Sequence, residues 1–324
     1  MMSLLVLLLS LPALAQEVVC TLPWLGDVTR VLAPEAEITV LVQGTEDPHH
    51  LSPTPALTAK VGSADLYVEN GLGLEPWSAA LLDGAGNPGI LPGQPGFVRA
   101  SQGVTRLEVP SGATPATGDL HPEGNPHIWL DPLNVPIVAD NIAAGLARID
   151  PENGEAYVER AKTFRHEVQV RTYGEELVGS LGGDVLDGLA RGGKLYDFLE
   201  SKGLSDRLGG WLGEGAALRG RSMVFHHRSW AYFIDRFGLR VVDYIEVRPG
   251  IAPSAAHLDG VKMTIQFSGA KVIGVTSCYD DQHARVLAEE TGATLVRLPG
   301  DVGGIPEVSD YYALIDTLVA RLGE

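Results

Sequence analysis

An α/β protein of two small domains is predicted, each with a parallel sheet flanked by helices, joined by one long rigid helix. Three observations predict it. The chain has 324 residues, enough for roughly two domains of ~150 residues each. Apolar β-rich runs alternate with amphipathic stretches in both halves. Between the halves, Asp150 and Pro151 supply an N-cap and an N1 proline for an extended helix.

The first half reads EVVCTLP, helical WLGDVTRVLA, EITVLVQG, helical SPTPALTAKVGSA and LYVEN, a βαβαβ pattern. Strands that alternate with helices in this way imply a parallel sheet covered on both faces. The connecting helix is predicted to run to about Leu177, with Tyr157, Ala161, Phe164 and Val168 along one face. At 1.5 Å per residue it would be roughly 40 Å long, a rigid connector. The segment after it is glycine-rich and carries only short helices. The second half repeats the alternation: RSMVFH, helical RSWAYFIDRFG, LRVVDYIE, helical SAAHLDGVKMTIQFSG, KVIGVTS, helical DDQHARVLAEETG and ATLVRLPG. The expected boundaries are an N-terminal domain over 16–150, the connecting helix over 151–178 and a C-terminal domain over 179–324.

Composition excludes several classes. Hydrophobic residues at 45% and charged residues at 20% are ordinary for a globular chain. The 41 acidic against 24 basic residues give a formal charge of -17, which repels nucleic acid and anionic lipid. The first 15 residues carry an apolar run from Leu4 to Leu11 and an A-x-A ending at Ala15, the pattern of a secretory signal, so the mature chain is expected outside the cytoplasm. Val18 and Val19 before Cys20 do not fit a lipid-attachment motif. Cys20 and Cys278 lie near opposite ends of the sequence and read as two separate thiols.

Ligands of open parallel sheets bind beyond the carboxyl ends of the strands. His49 and His50, in the proline-flanked DPHHLSPTP, follow EITVLVQG; His227 follows the strand MVFH, and Asp301 follows ATLVRLPG. His127, in GNPHIWLDP, lies in the loop before the helix that begins near Asn134. These positions, contributed by both halves, converge on an interdomain cleft. Three imidazoles and a carboxylate suit Zn²⁺, with Mn²⁺ the oxygen-preferring competitor. Acidification should release such an ion as the histidines protonate. His121 and Glu123 in DLHPEGNPH read as a surface loop, and Asp280 and Asp281 as caps of the helix after them.

DPHHLSPTP, ADLYVENGLGLEPW, GNPHIWLDP, MVFHHRSWAYFIDRFGL, YIEVRPGIAPSAAHL and LPGDVGG together resemble the cluster A-I solute-binding proteins of zinc and manganese ABC importers. The resemblance spans nearly the whole mature chain. It implies a periplasmic protein, monomeric and not an enzyme, that captures a divalent metal and delivers it to an ABC permease in the inner membrane. Residue by residue, it selects His49 because that residue directly follows Asp-Pro, and His227 because it stands six residues before Phe233 of a Tyr-Phe pair. His127 is then the second ligand and Asp301 the fourth, at a position where relatives use Asp, Glu or water. His50 and His226 fall beside the ligands. The histidine-rich insertion common in zinc importers has no counterpart here, which leaves Mn²⁺ open. A surface adhesin binding metal structurally fits the same residues. A zinc hydrolase, with Glu123 or Glu246 as base, fits less well, because Asp301 would close the coordination position that a catalytic zinc keeps open.

Overall fold

The computed structural model describes residues 15–110, 121–246 and 251–324. The predicted signal segment up to residue 14, and positions 247–250 of YIEVRPGIAPSAAHL, lie outside the described residues.

Among the described residues, eight short strands form two sheets of four. The first contains β1 (Glu17–Cys20), β2 (Glu37–Val40), β3 (Leu66–Glu69) and β4 (Phe97–Arg99), in the order β2-β1-β3-β4. The second contains β5 (Ser222–Phe225), β6 (Arg240–Tyr244), β7 (Val272–Thr276) and β8 (Thr294–Leu298), in the order β6-β5-β7-β8. Every neighbouring pair is parallel. All residues of β3 and of β7 are buried, as expected for central strands covered on both faces. Both sheets therefore share one winding, and the strand order reverses beside β1 in one and beside β5 in the other, which opens a crevice at their carboxyl ends. β4 was not anticipated from the sequence. It is a three-residue edge strand, too short to show a period of two.

The helices begin where local chemistry allows. In SPTPALT, Thr54 Oγ1 accepts the amide of Leu57 at 3.3 Å and Pro55 fills N1, so the helix Pro55–Gly62 starts at the proline. The connecting helix is shorter than predicted. Pro151–Asn153 is a 3₁₀ turn, and the α-helix runs over Gly154–Tyr173, about 30 Å at 1.5 Å per residue. It stops because Gly174 takes φ +88°, and a Cβ there would lie 3.0 Å from the Cα of Gly209. A separate helix, Glu175–Leu181, follows.

The halves do not keep wholly separate cores. One cluster of buried apolar side chains runs from Val18 to Leu322 through both sheets and includes Trp24, Trp129, Trp230 and Tyr311. A smaller cluster, with Val224, Ile273, Val275 and Leu287, covers the other face of the second sheet. The two halves also touch backbone to backbone beside the crevice. A Cβ on Gly44 would stand 2.0 Å from the carbonyl oxygen of Val302, so only glycine permits this approach. Cys20 and Cys278 are free thiols. Among the described residues, no helix is long and apolar enough to cross a membrane.

Candidate metal centre

The loop leaving β2 is pinned before it presents an imidazole. Trp77 Nε1 donates to the carbonyl of Pro48 at 2.9 Å. Asp47 Oδ1 then accepts both the backbone amide of His49, at 3.0 Å, and its Nδ1, at 2.6 Å. A carboxylate only accepts, so Nδ1 carries the proton and Nε2 is left with its lone pair. Burial opposes the charge on Asp47, but these bonds from His49 hold its carboxyl below the usual range. His50, next in sequence, turns out to solvent with 73% of its side chain exposed.

His127 is held by the same logic with a different acceptor. Asn125 Oδ1 accepts the His127 amide at 3.1 Å and lies 3.0 Å from its Nδ1. The other end of that amide donates to Glu108 Oε2 at 2.9 Å and to the Arg228 carbonyl at 2.7 Å, which fixes its orientation. In the second half, His227 follows β5 and its Nδ1 lies 2.7 Å from Glu246 Oε2. All three rings thus direct Nε2 away from a fixed acceptor, the arrangement by which metal-binding imidazoles are usually oriented. Asn125 and Glu246 have no ligand role in the sequence reading; their signal was adjacency to His127 in GNPH and position at the carboxyl end of β6.

The three rings converge. The His49 centroid lies 5.7 Å from that of His127 and 6.4 Å from that of His227, and the latter two are 6.4 Å apart. With Zn–N about 2.1 Å, imidazoles around a tetrahedral ion have centroids about 5 Å apart. As the rings stand, no three of the described His, Cys, Asp or Glu side chains meet at ligation distance. The excess of about 1 Å over that 5 Å spacing is what small side-chain rotations can remove. Trp129 backs the site, its ring 5.3 Å from that of His127, and the Tyr279 ring lies 5.1 Å from that of His227 at a tilt of 40°.

Two predicted surroundings differ in detail. His121 is not an isolated loop residue: its Nε2 is 3.1 Å from His49 Nε2, and the ring centroids are 5.1 Å apart. The turn at Gly124, φ +111°, folds the loop back so that His121 and His127 face one space. The six-residue spacing between the two histidines, broken by a glycine, was the available signal. Asp301 is 8% exposed and borders a small cavity shared with His127 and Trp129. Its Oδ1 accepts the amides of Trp24 at 2.9 Å and Val302 at 2.6 Å, and burial pushes its carboxyl well above the usual range. It is therefore anchored to backbone in both halves. Asp280 Oδ1 accepts the Gln282 amide at 2.7 Å, while Asp281 binds Arg285 and Arg297.

The geometry moves the acid-release window expected from ordinary histidines. Burial, then the neighbouring His49, pushes His121 down to about 4, and burial with the other imidazoles depresses His127 well below its ordinary value. A depressed histidine stays neutral in the folded chain while its unfolded counterpart takes a proton, so stability is full above the ordinary value of about 6.5 and is lost as pH falls toward 4. Protons likewise compete poorly with a metal. His121 and His127 are therefore expected to add little to the pH dependence of zinc binding between pH 7.5 and 6.5; in competition titrations with a chelator of known pH dependence, a slope in that window that flattens in His121→Ala would contradict this.

Known proteins resemble this chain along most of its length. The family model described as ZnuA, zinc-uptake complex component A, periplasmic, matches residues 18–172 and 205–324. The high-affinity zinc uptake system protein ZnuA of Bacillus subtilis is 24% identical over 268 residues, 82% of this chain and 71% of the relative. The manganese-binding lipoprotein MntA of Halalkalibacterium halodurans is 29% identical over 154 residues, 47% of this chain and 46% of the relative. A crystal structure of a zinc-bound ZnuA deletion mutant superposes with a TM-score of 0.69 over 95% of this chain and 97% of its own, at 24% identity, a likeness of fold.

Proposed function

Because the chain belongs to the family of periplasmic zinc-uptake component A proteins, we propose that it captures Zn²⁺ outside the cytoplasm and hands it to an ABC permease in the inner membrane. The observation that supports the reading best is the convergence of His49, His127 and His227 from both halves, each with Nδ1 tied to a fixed acceptor. Neutral imidazoles presented this way cost little ordering on binding and favour zinc over manganese, which prefers oxygen donors.

The fourth donor has two candidates. His121 supplies a nitrogen 3.1 Å from His49 Nε2, close to the ~3.4 Å spacing that ligand atoms about 2.1 Å from a tetrahedral zinc adopt. Asp301, the fourth ligand implied by the family resemblance, has its Oδ1 occupied by two amides. We favour His121. The protein acts as a carrier: the ion is bound, sequestered and released, and no bond of a substrate is made or broken.

Calorimetric titration of the metal-stripped chain with Zn²⁺ and with Mn²⁺ tests this, repeated on His121→Ala and Asp301→Ala. One tight zinc, weaker manganese and a loss of roughly 10- to 100-fold in His121→Ala are expected. Equal affinity for the two metals would widen the cargo to both. A loss confined to Asp301→Ala would restore the carboxylate as the fourth ligand.

A further inference from the structure

We propose that Glu75 is a positioning residue for the metal centre: it clamps a left-handed turn over Asn70–Gly73 that supplies the acceptor for His121, and so sets where the fourth nitrogen stands. This rests on the reading of the histidine cluster, His121 included, as a zinc centre.

The stretch ADLYVENGLGLEPW contributes no donor to the cluster. Its turn follows β3 and takes an uncommon path, with Gly71 at φ +84°, Leu72 at +57° and Gly73 at +73°. Glycine adopts such angles freely, whereas a leucine there is strained and persists only where its surroundings hold it. Glu75 does the holding. Its Oε1 accepts the Thr21 hydroxyl and the Asn70 amide, both at 2.7 Å, and its Oε2 accepts the Gly71 amide at 3.0 Å. The side chain is 7% exposed, and a buried carboxylate facing three donors grips them more tightly than a neutral acceptor would. Thr21 directly follows β1, so the clamp also ties the turn to the neighbouring strand.

The clamped turn meets the loop carrying His121 and His127 at two points. At the first, the Gly73 carbonyl accepts a hydrogen bond from the His121 ring. Nδ1 is the donor, because a Cβ built on Gly73 would lie 3.6 Å from that atom, while Nε2 stands 3.1 Å from His49 Nε2. Nε2 therefore keeps its lone pair. His121 thus has a fixed acceptor as His49, His127 and His227 do, but a backbone one that exists only while the turn keeps its shape. At the second point, Asn70 Nδ2 donates to the Pro126 carbonyl at 3.0 Å, directly before His127, and to the Gly71 carbonyl at 3.1 Å. Turn and loop are braced as one piece. Without Glu75 the amides of Asn70 and Gly71 lose their acceptor, the strained turn relaxes, and His121 loses its tether. Water would then replace a nitrogen at the ion, which narrows the preference for zinc over oxygen-seeking manganese.

The test uses the full, metal-stripped chain with Co²⁺ as the probe, whose visible absorption is intense when four-coordinate and weak when water enlarges the shell. Glu75→Ala is expected to lose that intensity and to bind Zn²⁺ about 10- to 100-fold more weakly, with the zinc-to-manganese ratio reduced. Glu75→Gln, which keeps one acceptor oxygen, should recover part of both. In a His121→Ala background, Glu75→Ala should cost less than about threefold more, because the two act through one contact. Melting curves taken alongside separate coordination from folding, and if Glu75→Ala does not fold, Glu75→Gln carries the same comparisons. A Glu75 variant with the unaltered spectrum, or an equal loss in both backgrounds, overturns the positioning role and leaves the metal centre standing. A weak Co²⁺ absorption in the unaltered chain overturns the four-nitrogen centre itself, and the role of Glu75 with it.

Discussion

His127→Ala is expected to lower zinc affinity by more than about 100-fold, beyond the 10- to 100-fold that loss of a supporting contact costs a metal site. The ring is 5% exposed, lies within 5.7 Å of His49 and 6.4 Å of His227, and is the only member of the trio backed directly by Trp129. Asn125 Nδ2 donates to Glu108 and Arg228, which holds that amide in place once the ring is gone. Truncation leaves Asn125 Oδ1 short of one partner, a stability loss of about 1–3 kcal/mol. Affinity and melting temperature must therefore be read separately. His50→Ala is the control: its side chain is 73% exposed and should change affinity little. Comparable losses in the two variants, or a loss below about threefold in His127→Ala, would remove His127 from the site, since a ligand should cost more than a supporting contact.

Much of this was legible in the sequence because it depends on short-range pattern. Seven of the eight strands sit in the β-rich runs, and their alternation with helices carries the parallel sheets. Asp-Pro-His-His could be read because the acceptor for His49 lies two residues away. What escaped depends on contacts distant in sequence or on single backbone angles. β4 has only three residues and is defined by pairing with β3. The connecting helix stops at one glycine angle rather than at a proline or a polar run. Asp301 illustrates the limit best: its partner, the amide of Trp24, is 277 residues away, and no spacing rule reports which of its oxygens is engaged. The loop that carries His121 could be placed only once Gly124 was seen to reverse it.

Asp131→Ala should cost about 3–5 kcal/mol of stability, which for a chain this size lowers the melting temperature by on the order of 10 °C. Asp131 lies just after the turn that begins at His127, and Arg236 lies in the helix Ala231–Phe237 that follows His227. Their side chains are 7% and 10% exposed, and the guanidinium binds both carboxylate oxygens, Nε to Oδ1 at 2.8 Å and Nη2 to Oδ2 at 2.9 Å. Nη1 donates to the Ala190 carbonyl at 3.1 Å, and Asp131 Oδ1 also accepts the Leu133 amide at 2.9 Å. Removing the carboxylate leaves a buried guanidinium with one remaining partner, and that uncompensated charge accounts for the large effect. Because the pair ties the segments carrying His127 and His227, the variant should also bind zinc more weakly, the rings losing the spacing that coordination needs. The double variant Asp131→Ala with Arg236→Met separates charge from packing. It should be less destabilised than Asp131→Ala alone, since replacing a buried pair by apolar groups is often tolerated where breaking it is not. Additive losses in denaturant unfolding would instead mean that each side chain acts through its own packing and that the bridge does not couple the halves.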